Sequence, residues 1–417
     1  MIIETLFPRA SASARLLQPP LGPYLEALAQ NLQAQHYSRE VIRGYVHAAH
    51  RFGEWLSTQG LALSAVSDQL VNRYINQFGK RISSAHPYGQ RPKLTRGLGH
   101  LRVVLRQAGA LAEAPPSLSP SEQWLTRYEQ HLEQVGGKAA TTRKKYLSYA
   151  RRFWPFRFGS AQADWSALRA NDLVDFVQQE AARLQRHLGK PPAVALRAML
   201  RFLIAEGQVV RGLEAAVPMP RQWALASLPA PLDKDQVSQV LAVCRTTPPN
   251  ALRNTAVLLL LARLGLRAGE VAALCLEDLH WTEGRLLIRA GKCHQERTLP
   301  LAEQVGQALA DYLQQRRPRS PHRRVFLQGH APYAPLTGMA IGHLARRAIQ
   351  RAGISVTHPG AHVFRHSAAT EMVRGGASFP QVADVLGHAS LQTTALYAKL
   401  DLEGLAPLAL PWPGGQP

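Results

Sequence analysis

Apolar residues recur three and four positions apart from Tyr24 onward, at Leu25, Leu28 and Leu32, and that spacing predicts an amphipathic helix. Ser38 stands as the cap of a second helix, with Glu40 and Val41 in its first turn and Tyr45, Phe52, Trp55 and Leu56 as its apolar residues. A third helix is expected from Ser67-Asp68 through Val71, Tyr74 and Ile75. A basic, glycine-containing loop is expected from Gly79 to Gly99, then a helix around Leu101 to Gln107. Residues 1–19 contain Pro and Ser without a regular period and read as a flexible lead-in.

The same landmarks return roughly 100 residues later, which is the signature of an internal repeat. Tyr45, Arg51 and Phe52 are echoed by Tyr146, Arg152 and Phe153, and Ser64-Ala65-Val66 by Ser166-Ala167-Leu168. Leu101 to Arg106 is echoed by Leu196 to Arg201. The order of three separate landmarks is kept, so the expected plan is a helical module over 20–111 and a second over 121–212. The bland alternative is chance similarity between amphipathic helices. A Pro-rich linker over 213–231 leads to a third region, 232–406, with a tail over 407–417. Asp233 is the expected cap of that region's first helix, and helices are expected over 235–244 and 250–264. Two short strands, Gly284 to Ala290 and Glu296 to Leu301, are expected around a turn at Gly291 to Gln295. Helices then continue, broken by loops at Pro318 to Pro321 and Gly353 to Gly360.

Composition narrows the partners. The 417 residues hold 49 Lys plus Arg against 28 Asp plus Glu, a net charge of +21 that favours a polyanion, either nucleic acid or an anionic membrane surface. No apolar run reaches the ~18 residues a membrane-spanning helix needs; the stretch from Ala256 to Ala262 ends in Arg263. The three cysteines form no CxxC pair, which fits a reducing compartment and argues against structural zinc. With no signal-peptide pattern at the N-terminus, a cytoplasmic protein is expected.

The candidate chemistry lies in the third region. Attack on a DNA phosphodiester raises its negative charge, so catalysis needs cations and hydrogen-bond donors at the nonbridging oxygens. Arginine suits this because its planar fork binds two oxygens and keeps its charge. Arg267, in Gly265-Leu266-Arg267-Ala268-Gly269-Glu270, and Arg365 are the two candidate clamps, with Gly265 allowing a turn and a close approach to DNA. His362 and Arg365 stand three apart, on one face of a helix. His388 follows Gly387 at another helix boundary and can bond a phosphate oxygen or move a proton. Lys292, in the turn between the strands, can donate a proton to a departing oxygen. Tyr397 is the candidate nucleophile, a phenol that needs nearby cations or a base to react at neutral pH. His358, His362 and His366 are spaced four apart like a metal-binding face, but Pro359 and Gly360 place His358 before the helix, and no carboxylate joins them, so no metal is expected. Taken singly, each of these residues also fits an ordinary packed or surface role.

Taken together, Arg267, Lys292, His362-x-x-Arg365, His388 and Tyr397, in that order, resemble the catalytic set of the tyrosine recombinase/integrase family. The resemblance is strong over about 232–405 and looser over 20–210. It implies a mainly α fold: one or two N-terminal SAM-like helical DNA-binding modules and a mostly helical catalytic domain with a small β-sheet. It implies that Glu270 buttresses the active site, and that the enzyme cuts and rejoins DNA through a 3′-phosphotyrosyl bond with no cofactor. The implied partner is double-stranded DNA with inverted half-sites, bound by a homotetrameric synapse, alone or with sister recombinases, in a prokaryotic nucleoid. Arg39, Arg43 and Arg51 in the first module, and Arg143, Lys144, Lys145, Arg151 and Arg152 in the second, are candidates for holding DNA phosphates. The extra module favours a mobile-element enzyme. The competing readings are a non-catalytic DNA-binding helper and a type IB topoisomerase-like or telomere-resolving enzyme. A demand for one specific paired site separates the recombinase from a relaxing enzyme.

Overall fold

The computed structural model of the chain describes residues 2–79, 91–111, 119–159, 163–183, 190–219, 231–289 and 296–387. Contacts divide it into two compact units, Met1–Ala112 with Ser227–Pro417, and Glu113–Ala226.

The first unit opens with α1 (Ile2–Leu6) and α2 (Ala10–Leu16), which corrects the expectation of a flexible lead-in. Ile3, Leu6, Phe7 and Leu16 are buried in the same core as α3 (Gly22–Ala34) and α4 (Arg39–Thr58). Ile3, Leu6 and Phe7 obey helical spacing over a stretch too short for a period to be read. The Glu26 carboxylate also accepts the backbone N–H groups of Ile2 and Ile3 at 2.7 and 3.0 Å, satisfying two of the free donors at the start of α1. Ser38 caps α4 by accepting the Val41 amide, as expected, and Ser67, at the expected start of α5 (Asp68–Phe78), caps it by accepting that of Leu70. α6 runs over Arg91–Gln107, so the expected loop to Gly99 is helical from Arg91. The reason is visible in Leu94, Leu98, Leu101 and Leu105, which keep a helical period through Gly97 and Gly99 and are all buried.

The second unit contains α7 (Pro120–Gln134), α8 (Ala140–Phe158), α9 (Ala170–Arg183) and α10 (Lys190–Ala205) around an aromatic core of Trp124, Tyr128, Phe153, Trp165, Phe176 and Phe202. Its order of elements parallels α3 to α6. In each series two long helices are followed by a 3₁₀ turn, Leu63–Ala65 or Trp165–Ala167, and then two more helices. The residue closing each turn, Val66 or Leu168, is buried.

The C-terminal part of the first unit has its own core, centred on the apolar helix α12 (Ala251–Arg263). Asp233 caps α11 (Lys234–Arg245), as expected. After α13 (Ala268–Ala273) comes a three-stranded antiparallel sheet in the order β1 (Leu279–His280), β2 (Arg285–Ile288), β3 (Arg297–Pro300). β2 and β3 lie within the two expected strands; β1 is too short to show a two-residue period. α14 (Glu303–Asp311) continues as a π-helical turn to Arg316. α15 (Gly338–Arg351), α16 (Ala361–Arg374) and α17 (Phe379–Leu386) complete the described chain. Among the described residues no helix is long and apolar enough to cross a membrane.

Phe7 is 4% exposed and packs edge-on against His47 at 4.9 Å between ring centroids. Phe7→Ala is therefore expected to destabilise the first unit by about 3 kcal/mol or more, the usual cost of deleting a buried aromatic. Urea unfolding measures it, and an unchanged midpoint would restore the reading of residues 1–19 as a loose leader.

Candidate active site

The candidate site gathers at the C-terminal end of α17. This helix is eight residues long, opened by a capping box between Ser378 and Gln381 and closed by Gly387 in a left-handed conformation (φ +63°). Its last carbonyls lack intrahelical partners and form the negative end of the helix dipole. Arginines fill that role. Arg365, 7% exposed on α16, donates to the Leu386 carbonyl at 2.7 Å and to that of Gly265 at 2.8 Å. Arg267 donates to Leu386 at 3.3 Å and to Gly387 at 3.1 Å. The two predicted clamp residues, 98 positions apart in the chain (365 − 267), thus share one acceptor.

Glu270 holds Arg267 in place from one turn along α13. Its carboxylate accepts the Arg267 backbone N–H at 2.8 Å and the guanidinium Nη1 at 3.1 Å. Burial pushes the Glu270 carboxyl up, but hydrogen bonds from Arg297 and the Arg267 amide, with the charges of both arginines, outweigh it and leave the group below the usual carboxylate range. Glu270 is therefore ionised at neutral pH.

A third arginine, absent from the sequence-based set, completes the cluster. Arg297 at the start of β3 donates to Glu270 through both terminal nitrogens, at 3.2 and 3.0 Å, and through Nε to the Val385 carbonyl at 2.8 Å. The available signal was its position two residues before buried Leu299, on the same face of a strand.

Two glycines allow these groups to converge. Gly265 has φ +59°, and a Cβ there would come within 2.5 Å of a Leu386 methyl. The expected turn is present, and the close approach it permits within the protein is to α17. A Cβ on Gly387 would meet the Arg297 guanidinium at 2.7 Å.

His362 lies one turn before Arg365 on α16, exposed, with its ring 6.0 Å from that of His366. Although the residue as a whole is exposed, its ring is partly desolvated against α16, and this, then the neighbouring His358, pushes His362 below its ordinary range. Burial, His362 and Arg365 push His366 down to about 4. His358 precedes α16, as expected. Lys292, His388 and Tyr397 lie outside the described residues.

The DNA-holding candidates divide by their engagement. Arg39 donates to the Thr5 carbonyl, and Arg43 lies over the Phe7 ring at 5.4 Å. Arg143 pairs with Glu133 at 2.8 Å, and Arg152 pairs with Glu180 at 3.1 Å. Arg51, Lys144, Lys145 and Arg151 are exposed.

Comparison with known proteins gives a consistent picture. The phage integrase family pattern matches residues 231–403. The chain is 40% identical over 97% of its length to 98% of the Sinorhizobium fredii protein named "Putative integrase/recombinase y4rA". It is 31% identical over 69% of its length to 95% of tyrosine recombinase XerC of Shewanella amazonensis. In fold it is similar to a crystal structure of XerH site-specific recombinase, with a TM-score of 0.52 and 18% identity, over 84% of this chain and 99% of that one.

His366 generates a pH prediction. Its folded value of about 4 lies below the ordinary 6.5, so between those values the unfolded chain binds the extra proton. The stability it contributes is complete above its unfolded value and is lost as pH falls towards its folded one. Glu270 acts in the same direction only below the ordinary 4.5 of a glutamate. Melting temperatures measured from pH 7 to 5 should fall in the wild type and fall less in His366→Gln; parallel curves would remove His366 as the cause.

Proposed function

Because the chain belongs to the phage integrase family of tyrosine recombinases, we propose that it is a site-specific DNA recombinase working through a 3′-phosphotyrosyl intermediate, in the service of a mobile element. The observation that carries this reading is the convergence of Arg267 and Arg365 on the Leu386 carbonyl, one residue before Gly387 and two before His388. Two permanently charged forks at one point suit the two nonbridging oxygens of a phosphate.

In this reading Tyr397 gives its phenolic proton to a neutral imidazole, His362 or His388, as it attacks the scissile phosphorus and displaces the 5′ oxygen, to which Lys292 delivers a proton. Arg267 and Arg365 bind the nonbridging oxygens as their charge grows, assisted by donors from His362 and His388. Glu270 fixes Arg267. The free 5′-hydroxyl of a partner duplex then attacks the phosphotyrosine, releasing Tyr397 and restoring a phosphodiester. One phosphoester replaces another at each step, so no external energy source enters. The XerH structure is a post-cleavage complex bound to a palindromic difH substrate. By analogy the substrate here is duplex DNA with inverted half-sites, and the working form is a synapse of several protomers.

The two helical series, 20–111 and 121–212, are read as related modules that hold the duplex. The recurring order of helices and the 3₁₀ turn supports this, with α1 and α2 added to the first through their shared core. Exposed Arg51, Lys144, Lys145 and Arg151 are the stronger phosphate contacts. Arg39, Arg43, Arg143 and Arg152 already have partners inside their modules.

The test is covalent trapping. The protein is mixed with DNA fragments flanking its coding sequence, nicked near candidate sites so that cleavage cannot reverse. A DNA-linked band on a denaturing gel is expected, lost in Tyr397→Phe while binding persists. Arg267→Ala and Arg365→Ala should each slow its formation by about 100-fold or more, the usual cost of losing one charged donor to a developing oxyanion. A band that survives in Tyr397→Phe would overturn the nucleophile. Specific binding without any band would favour a DNA-binding helper.

A further inference from the structure

We infer that Arg297 is a positioning residue of the recombinase site, locking Glu270, and through it Arg267, to the end of α17. The inference rests on the recombinase reading above. It starts from geometry. The Arg297 side chain is 10% exposed, and its three donor nitrogens are all engaged: two on Glu270, in a parallel fork, and one on the Val385 carbonyl. Arg267, by contrast, is 31% exposed. Its Nη1 is divided between Glu270 at 3.1 Å and Leu386 at 3.3 Å, a shared donor that an incoming anion can take over. Arg365 donates to carbonyls on two segments and completes the frame.

The three arginines therefore have different tasks. A carboxylate between two guanidiniums is pulled by both. Only the Arg297 pairing is bidentate, so it sets where Glu270 stands. Glu270 then sets the backbone and side chain of Arg267, through one oxygen each. Arg297 also ties β3 to the last turn of α17 at Val385, the turn whose next carbonyls receive Arg267 and Arg365. Two parts of the site, the α13 arginine and the α17 terminus, are thus fixed by one buried fork. A lysine cannot reproduce it, since an ammonium is a point charge without the planar pair of donors.

Arg297→Gln, Arg297→Lys and the wild-type full chain are compared on the same nicked flanking duplexes. The readouts are covalent-product rate, binding across a salt series, and thermal unfolding. Arg297→Gln is expected to form product about 100-fold more slowly, the scale of misplacing a reacting group by about 1 Å. It should keep wild-type affinity and an unchanged dependence of binding on salt, because it removes no phosphate contact. Arg297→Lys should fall between the two. Added to Arg267→Ala, Arg297→Gln should cost little more, since both act through one guanidinium. A salt dependence shallower by about 0.9 in logarithmic slope would make Arg297 a phosphate ligand and overturn the inference. An unchanged product rate in Arg297→Gln would overturn it too, as would unfolding of both variants, which would reduce Arg297 to a stability element. Absence of product from the wild type would instead strike the recombinase reading itself.

Discussion

The Glu270 carboxylate, held between Arg267 and Arg297, is the interaction on which the arrangement of the candidate site depends. Three guanidiniums meet at the end of α17, and like charges this close repel. Glu270 supplies one full negative charge, and the helix terminus offsets about half a charge more through its unpaired carbonyls. The cluster of Arg267, Arg297, Arg365 and Glu270 still carries a positive surplus. That surplus gives an anion its favourable place, and it explains why the carboxylate must be ionised. A protonated Glu270 would lose its attraction for both neighbours and leave the arginines facing one another.

α17 depends on the same cluster. At eight residues it is too short to hold itself together in water. Its start is secured by the Ser378–Gln381 box and its flank by Val382 and Leu386 against Ala369. Its end is secured by arginines from α13, β3 and α16, at Val385, Leu386 and Gly387. Each such hydrogen bond from a charged donor contributes about 1.5–3 kcal/mol. The residues that follow Gly387 therefore leave from a point defined by three separate elements. In the proposed mechanism this chain segment carries both His388 and the nucleophile, so fixing its origin limits where they can reach.

Much of the fold was legible because long helices advertise themselves. Periodic leucines, Ser38 and Asp233 as caps, and a start read at Ser67-Asp68 located α3 to α5 and α11. What escaped was short or interrupted. α1 and β1 span too few residues for a period, and α6 was hidden by glycines that its buried leucines override. In the site, Arg267 and Arg365 could be named from order and spacing, and Glu270 from the resemblance to the family, and they do meet. Arg297 could not, because its importance lies in a contact with residues 27 and 88 positions away. An arginine at the start of a strand looks like an ordinary edge charge until that strand is placed against α13 and α17.

The same distinction governs how the net charge of +21 should be read. A basic sequence suggests a polyanion, but the sum does not count the charges available to it. Arg143, Arg152 and Arg157 are paired with Glu133, Glu180 and Asp172 inside the second unit, bracing helix against helix. Arg297 is buried against Glu270 in the candidate-site cluster. A phosphate gains little from a guanidinium already matched by a carboxylate, because the new contact displaces an equal one. Binding strength and its sensitivity to salt should therefore follow the exposed subset, such as Lys144, Lys145 and Arg151 along α8, rather than the total. The arginines with carboxylate partners shape the surface on which that subset is displayed.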